Sequence, residues 1–232
     1  FTWAFDLLML GAGVGYSVER EHVYKLSKVR KDFHRPVRQD NASASFIVPD
    51  SREGWVALLD RLLRSAFYAN TPSGFTYSTQ LVRGKGAPIK GFGGIASGPE
   101  DLCNGIGLIG GILESRAGKQ LRPIDCLDIM NILGMIVVSG NVRRSAQIAL
   151  GDFDDIQFIK AKDWSSGNIP NWRAFSNNSV TCNDFNLLPA AFWETYNGKS
   201  EPYGLINLKL SREVGRLGET KYSDPLVMGF NP

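Results

Sequence analysis

Two segments of the sequence place arginine or lysine side chains beside glycine-rich backbone. Arg83, Lys85 and Lys90 lie along one loop that contains six glycines, and Arg143 and Arg144 follow another glycine further on. A flexible backbone with several cations suits a phosphate-bearing ligand, and an arginine can also stack on a base. A solvated loop explains the first segment equally well. The residue types therefore indicate phosphate binding without requiring it.

A third feature is the pair Asp50 and Ser51, which stands at the start of a predicted helix. Apolar residues recur at helical spacing from Trp55 to Phe67. Asp50 is a suitable cap for this helix because Glu53 follows three residues later, as in a capping box. A carboxylate there can also accept hydrogen bonds from a ribose or a base, whereas a phosphate needs other donors. A plain helix cap is the alternative interpretation.

Glycines 11, 13 and 15 follow a predicted helix over residues 3–10. Glycine has no Cβ, so a ligand can approach the backbone closely at these positions. The spacing is not a dinucleotide-binding fingerprint, which opens a helix instead of following one. We predict a tight turn over residues 11–15, with ligand contact as the alternative.

The cysteines and histidines exclude two kinds of site. Cys103, Cys126 and Cys182 are an odd set without Cys-x-x-Cys spacing, so we predict a cytoplasmic protein without a disulfide framework. Only His22 and His34 are available to complete a zinc site, and we predict no metal site. Cys103 and Cys126 fall in apolar helical patterns and are predicted to be buried. A reactive thiol at Cys182 is a minor alternative.

Composition narrows the class of protein further. The 232 residues are 43% hydrophobic and 21% charged, which is typical of a soluble globular chain. The net charge of +3 is too small to imply a nucleic-acid partner. The longest apolar run, residues 132–138, is far shorter than the roughly 20 residues of a membrane helix. The basic stretch over residues 20–38 is interpreted as a solvated face, with a polyanion site as the alternative.

Predicted helices and strands alternate along the chain. Strands are predicted at residues 46–48, 75–82 and 205–210, and helices begin at Pro99 and Pro123. Such alternation predicts an α/β architecture.

Several longer motifs resemble one enzyme family, the adenosylcobalamin-dependent ribonucleoside-triphosphate reductases. They occur in that family's order along essentially the whole chain. The motifs are Asp-Ser-Arg-Glu-Gly-Trp at 50–55, Gly-Phe-Gly-Gly-Ile-Ala-Ser-Gly-Pro at 91–99, Gly-Asn-Val-Arg-Arg-Ser-Ala-Gln-Ile-Ala-Leu-Gly at 140–151, Asn-Asn-Ser-Val at 177–180 and Asn-Pro at 231–232.

The resemblance implies a fold and a chemistry. Such enzymes are built on a ten-stranded α/β barrel with a finger loop at its centre. A thiyl radical on the finger-loop cysteine abstracts the 3′ hydrogen of a ribonucleoside triphosphate, and a cysteine pair supplies electrons for loss of the 2′ hydroxyl. Adenosylcobalamin generates the radical, and a thioredoxin-like protein serves as reductant.

Functional residues carry over by position. Asp50, Ser51, Arg83 and Ile89 match an effector site that binds a deoxyribonucleoside triphosphate and selects the substrate. For substrate binding, the matches are Gly13, Arg143 and Arg144. Asn231 matches the catalytic asparagine that holds the ribose hydroxyl. The three cysteines match no catalytic position, and the cobalamin-binding regions lie mostly outside the chain.

The resemblance also implies a division of the chain. Residues 1–17 begin the barrel domain, residues 18–82 are an inserted effector-site segment and residues 83–232 continue the barrel. In monomeric family members, such an α/β insertion mimics the partner subunit at a dimer interface. We therefore expect the full-length enzyme to be monomeric.

Pro232 precedes the position of the radical cysteine. We expect a central fragment of the reductase that is inactive by itself. The alternatives are an inactive nucleotide-binding module, or an extein or split-gene piece that needs the missing flanks.

Overall fold

The fold is given by a computed structural model that describes residues 1–89, 94–139, 145–198, 202, 204–215 and 218–219. Its first 139 residues contain helices α1 (Thr2–Met9), α2 (Arg20–Val23), α3 (Arg52–Phe67), α4 (Glu100–Ser115) and α5 (Pro123–Ser139). Among them lie strands β1 (Gly13–Ser17), β2 (Val37–Arg38), β3 (Phe46–Ile47) and β4 (Thr76–Ser78).

The rest of the chain begins with β5 (Ala146–Asp152), α6 (Ile156–Ile159) and β6 (Asn177–Cys182). It continues with α7 (Ala190–Gly198), β7 (Gly204–Asn207), α8 (Leu208–Glu213), β8 (Val214–Gly215) and β9 (Gly218–Glu219). Short 3-10 turns cover Trp164–Ser166, Asn171–Phe175 and Phe185–Leu187. The strand predicted over residues 205–210 is therefore wrong in its second half. There the Asn207 side chain caps a helix by accepting a hydrogen bond from the Leu210 N–H.

Two parallel sheets organise the described residues. The larger has the order β1-β5-β6-β7 and the smaller the order β2-β4-β3, and every pair of neighbours in both is parallel. Parallel neighbours need crossover connections, and helices supply them. The predicted α/β class is confirmed, while the ten-stranded barrel stays a prediction.

Strand β1 corrects the predicted turn at residues 11–15. Only the beginning of that segment turns, at Gly11, whose φ of 83° is the left-handed conformation that glycine tolerates. From Gly13 onward the chain pairs in register with β5, Gly13 opposite Ala146 and Gly15 opposite Ile148. Hydrogen bonding to a strand more than 100 residues away makes this glycine-rich segment extended.

Helix α5 lies at the centre of the core. Thirteen of its 17 residues are buried, and it packs against α1, α4, β5 and the 3-10 turn before β6. The contact with α4 is close at Gly105, where a Cβ would come within 2.3 Å of the end of the Ile136 side chain. At the start of α5, the buried Asp125 accepts hydrogen bonds from the backbone and the guanidinium of Arg122.

We expect Leu133→Ala to destabilise the chain by about 2–5 kcal/mol, since it removes a fully buried side chain from α5 and leaves a cavity. Urea unfolding followed by circular dichroism measures the change. Leu26→Ala is the matched control, because that leucine is 39% exposed, and it should change the free energy of unfolding by less than about 1 kcal/mol. Equal effects of the two substitutions would contradict the central position of α5.

Candidate functional site

Ser51, not Asp50, caps helix α3. Its backbone is extended and its hydroxyl oxygen accepts a hydrogen bond from the Gly54 N–H at 3.0 Å. The predicted capping role of Asp50 is therefore wrong. One residue earlier in the chain, the Asp50 carboxylate is left to make a different contact.

That contact is with Arg83, 33 residues further along the chain. The Arg83 Nε lies 2.7 Å from Asp50 Oδ2, and the Arg83 backbone N–H donates to Oδ1 at 3.3 Å. The guanidinium also donates to the Pro88 carbonyl oxygen at 3.1 Å. Both side chains are about one-third exposed, 35% for Arg83 and 33% for Asp50. Water screens such a pair, so it contributes no more than about 1 kcal/mol and a competing anion can open it.

Asp50, Ser51, Arg83 and Ile89 line one cavity of about 270 Å³. The structure thus brings together all four residues that the resemblance assigned to effector binding. Met9 from the end of α1 and Ile136 and Val137 from the end of α5 complete the wall, together with Trp55, Val82, Ala96, Ser97 and Gly98.

Most of this wall is apolar, and its charges are clustered at the start of α3. Arg52 also lines the cavity, but it is held by an ion pair to Asp6 in α1 and by another to Glu53 at 2.6 Å. Asp6 and Glu53 do not line the cavity, whereas Asp50, the acidic partner of Arg83, does. Arg83 is the better candidate to bind an incoming anion.

The sequence did not predict the other nine residues of this wall: Met9, Arg52, Trp55, Val82, Ala96, Ser97, Gly98, Ile136 and Val137. Trp55 was assigned only to the apolar face of α3, and the two α5 residues only to a buried helix. Apolar periodicity predicts burial but not which buried residue borders a cavity. For Arg52 a signal existed, since it directly follows the capping serine as the first residue of α3.

Gly13 lies outside the cavity wall, but the chain connects the two directly. Met9 in the wall is followed, four residues later, by Gly13 at the start of β1. In the sequence, α5 ends at Ser139, a few residues before Arg143 and Arg144. These two arginines and Asn231 lie outside the described residues.

The three cysteines are free and buried. Burial raises the pKa of the Cys126 thiol to about 12, and it also raises the pKa of Cys103 and of Cys182. A buried thiol with a raised pKa is a poor nucleophile near neutral pH. Burial of Cys103 and Cys126 confirms the prediction made from their helical patterns, and Cys182 is buried with them.

Two features are absent from the described part of the chain. Within it, no group of three or more His, Cys, Asp or Glu side chains is arranged to hold a metal ion. None of the described helices is long and apolar enough to cross a membrane.

Comparisons with known proteins identify relatives of the chain. Residues 16–113 match the family described as B12-dependent ribonucleotide reductase, insertion domain. Adenosylcobalamin-dependent ribonucleoside-triphosphate reductases from Lacticaseibacillus paracasei and Levilactobacillus brevis are each 37% identical over the whole chain. The chain is homologous to the B12-dependent ribonucleotide reductases. It spans 35% of the length of these two relatives.

A solved structure extends this homology to the fold. The crystal structure of a B12-dependent (class II) ribonucleotide reductase superposes with a TM-score of 0.73 at 30% sequence identity. The match covers 93% of this chain and 33% of that reductase. The resemblance inferred from the reductase motifs is thereby confirmed.

Gly54 is expected to be essential to the geometry of the candidate site. A Cβ at this position would lie 2.4 Å from the Pro49 carbonyl oxygen, so Gly54→Ala must push α3 away from the segment that carries Asp50. We expect a loss of about 1–3 kcal/mol of stability, measured by urea unfolding.

Gly107→Ala in α4 is the matched control, because a Cβ there meets nothing within 4 Å. Alanine favours a helix over glycine, so this variant should be unchanged or more stable by up to about 1 kcal/mol. A Gly54→Ala variant as stable as Gly107→Ala would contradict the close approach of α3 to Pro49.

Proposed function

We propose that the chain is part of a ribonucleotide reductase and that the cavity beside α3 is its specificity site for a deoxyribonucleoside triphosphate. The observation that carries the proposal is the meeting of Asp50, Ser51, Arg83 and Ile89 around one cavity. The resemblance selected these four residues from sequence motifs alone. They come from two separate segments of the chain, and their convergence supports a common role.

The proposed binding mode follows from the chemistry of the wall. The Arg83 guanidinium contacts the triphosphate, because charge-assisted hydrogen bonds to phosphate are stronger than a one-third-exposed ion pair. Asp50, released from Arg83, accepts a hydrogen bond from the deoxyribose. The base packs between Trp55 and the apolar side chains of Ile136 and Val137.

Effector and substrate sites are coupled, in this proposal, through two chain segments. One runs from Met9, at the end of α1, to Gly13. The other runs from Val137, near the end of α5, to Arg143 and Arg144, the residues proposed to bind the substrate. An effector that shifts either helix end changes the affinity for substrate. By thermodynamic linkage, the substrate changes the affinity for the effector by the same factor.

The cavity also supports the proposed division of the chain. Asp50, Ser51 and Trp55 belong to the proposed inserted segment 18–82, whereas Met9 and Ile136 belong to the proposed barrel segments. In this proposal, the insertion takes the place that a second subunit occupies in dimeric reductases. The full-length enzyme is then a cytoplasmic monomer.

The proposed reaction is reduction of ribonucleoside triphosphates to 2′-deoxyribonucleoside triphosphates with adenosylcobalamin and a thioredoxin-like reductant. Adenosylcobalamin supplies the radical that starts the reduction in the complete enzyme. We assign no described residue to the cofactor, because the resemblance places the cobalamin-binding regions mostly outside this chain. Asn231 holds the ribose hydroxyl of the substrate. None of the three buried cysteines serves as a reductant.

A nucleotide-binding role without catalysis is the second candidate. It is favoured because the chain supplies the cavity wall, while its three cysteines are buried and poorly suited to react. Reduction of a ribonucleoside triphosphate by the chain together with the rest of the reductase would exclude that candidate. A folded mixture that binds deoxynucleotides and forms no product would support it.

Arg83→Ala should weaken the binding of deoxyribonucleoside triphosphates by roughly 10- to 100-fold, because a charge-assisted contact to phosphate is lost. Thermal unfolding with added deoxynucleotide measures this effect. A ligand at about 100 times its dissociation constant stabilises the wild-type chain by about 2.7 kcal/mol.

Arg35→Ala is the control for that experiment, since Arg35 forms a similar exposed ion pair with Glu114 and lies outside the cavity wall. It should leave the deoxynucleotide-induced shift unchanged. A wild-type shift that survives in Arg83→Ala would remove Arg83 from the proposed site.

Trp55 should report on the base of the bound effector. We expect a deoxyribonucleoside triphosphate to change the intrinsic fluorescence of the chain, and Trp55→Phe to abolish that change. Trp3→Phe is the matched control, because Trp3 is 67% exposed and lies outside the cavity wall. A change that persists in Trp55→Phe and disappears in Trp3→Phe would contradict the proposed position of the base.

A further inference from the structure

Helix α3 borders a second cavity, of about 410 Å³, beyond the one that contains Arg83. Its wall consists of the outer face of α3 over residues 57–65, the segment 70–72 and the rings of Phe46 and Phe75. The two cavities share no lining residue. Its volume lies within the range of about 300–1,000 Å³ that is typical of small-molecule sites.

Arg61 dominates the chemistry of this second cavity. Its guanidinium carbon lies 4.8 Å from the centroid of the Phe46 ring and 5.9 Å from that of Phe75. Among the described residues it forms no ion pair with an aspartate or a glutamate, in contrast to its neighbour Arg64. A guanidinium that lies over aromatic rings is oriented by them, and its N–H groups remain available for an anion.

Arg64 adds a second cation on the same face. Its Nε lies 2.6 Å from Asp60 Oδ2, and its guanidinium carbon lies 5.5 Å from the centroid of the Tyr68 ring. Residues three apart on a helix are neighbours, so Arg61 and Arg64 can contact one ligand together. The charged side chains of the wall are thus two arginines and one aspartate, an excess of positive charge.

The apolar part of the wall defines the rest of the ligand. Phe46 and Phe75 are both half-buried and face the cavity beside Arg61. Aromatic rings favour contact with another flat ring. A ligand that joins a phosphate group to a flat ring matches both parts of the wall.

We propose that this second cavity binds a nucleoside phosphate, with its phosphates on Arg61 and Arg64 and its base against Phe46 and Phe75. The site is separate from the proposed effector site and does not depend on that assignment. It is formed by the proposed inserted segment alone, since every lining residue falls between residues 46 and 75.

Isothermal titration of the intact chain with ADP tests the proposal. We expect binding of ADP in Arg83→Ala, where the first cavity lacks its arginine, and a loss of affinity of at least tenfold when Arg61→Ala is added. Arg61→Gln replaces Arg61→Ala if the latter does not fold, as judged by circular dichroism. Lys160→Ala removes an exposed cation directly after α6; it is the control and should leave ADP binding unchanged.

Inorganic pyrophosphate and adenosine, titrated separately, distinguish the two halves of the ligand. We expect pyrophosphate to bind at least tenfold more weakly than ADP and adenosine to show no binding. Pyrophosphate binding as tight as that of ADP would overturn the role of the phenylalanine rings.

ADP binding that Arg61→Ala and Arg61→Gln leave unchanged, or no ADP binding by the folded Arg83→Ala chain, would overturn the site. Failure of the proposed effector site has a different signature. In that case Arg83→Ala leaves nucleotide binding unchanged, while substitution of Arg61 still reduces it.

Discussion

Burial of helix α5 is the constraint on which the rest of the structure depends. Because α5 is enclosed on nearly every side, α1, α4 and the large sheet must each present a complementary apolar face to it. The same burial fixes the C-terminal end of α5, where Ile136 and Val137 form part of the first cavity. The close packing of the core around α5 therefore resists a change in the shape of that cavity.

The proposed effector site combines this rigid wall with a weakly held polar one. Asp50 and Arg83 are paired with each other but remain one-third exposed, so little free energy is needed to separate them. In the proposed binding mode a triphosphate replaces one partner of the pair, while Gly54 keeps the start of α3 close to Pro49. In this proposal, the rigid apolar surface contacts the base of the nucleotide. The ion pair beside it opens to bind the phosphates.

The sequence predicts the helices better than it predicts their contacts. Helical spacing from Trp55 to Phe67 and the prolines at 99 and 123 located α3, α4 and α5, because local periodicity and caps determine those elements. The strand at Gly13 was missed because its pairing partner is distant in sequence. Ser51 and Asp50 are both residue types that cap helices well. Ser51 caps α3 because Asp50 pairs with Arg83, and no local sequence pattern reveals that contact. Motif resemblance supplied the four site residues, but the apolar wall required coordinates.

Hydrogen–deuterium exchange with and without a saturating deoxyribonucleoside triphosphate tests directly whether this nucleotide binds in the first cavity. The method follows every segment of the chain at once. We expect slower exchange in the first turn of α3 and at the C-terminal end of α5, accompanied by a change between Met9 and Gly13. Slower exchange confined to other segments, or none at a concentration that saturates binding, would contradict it.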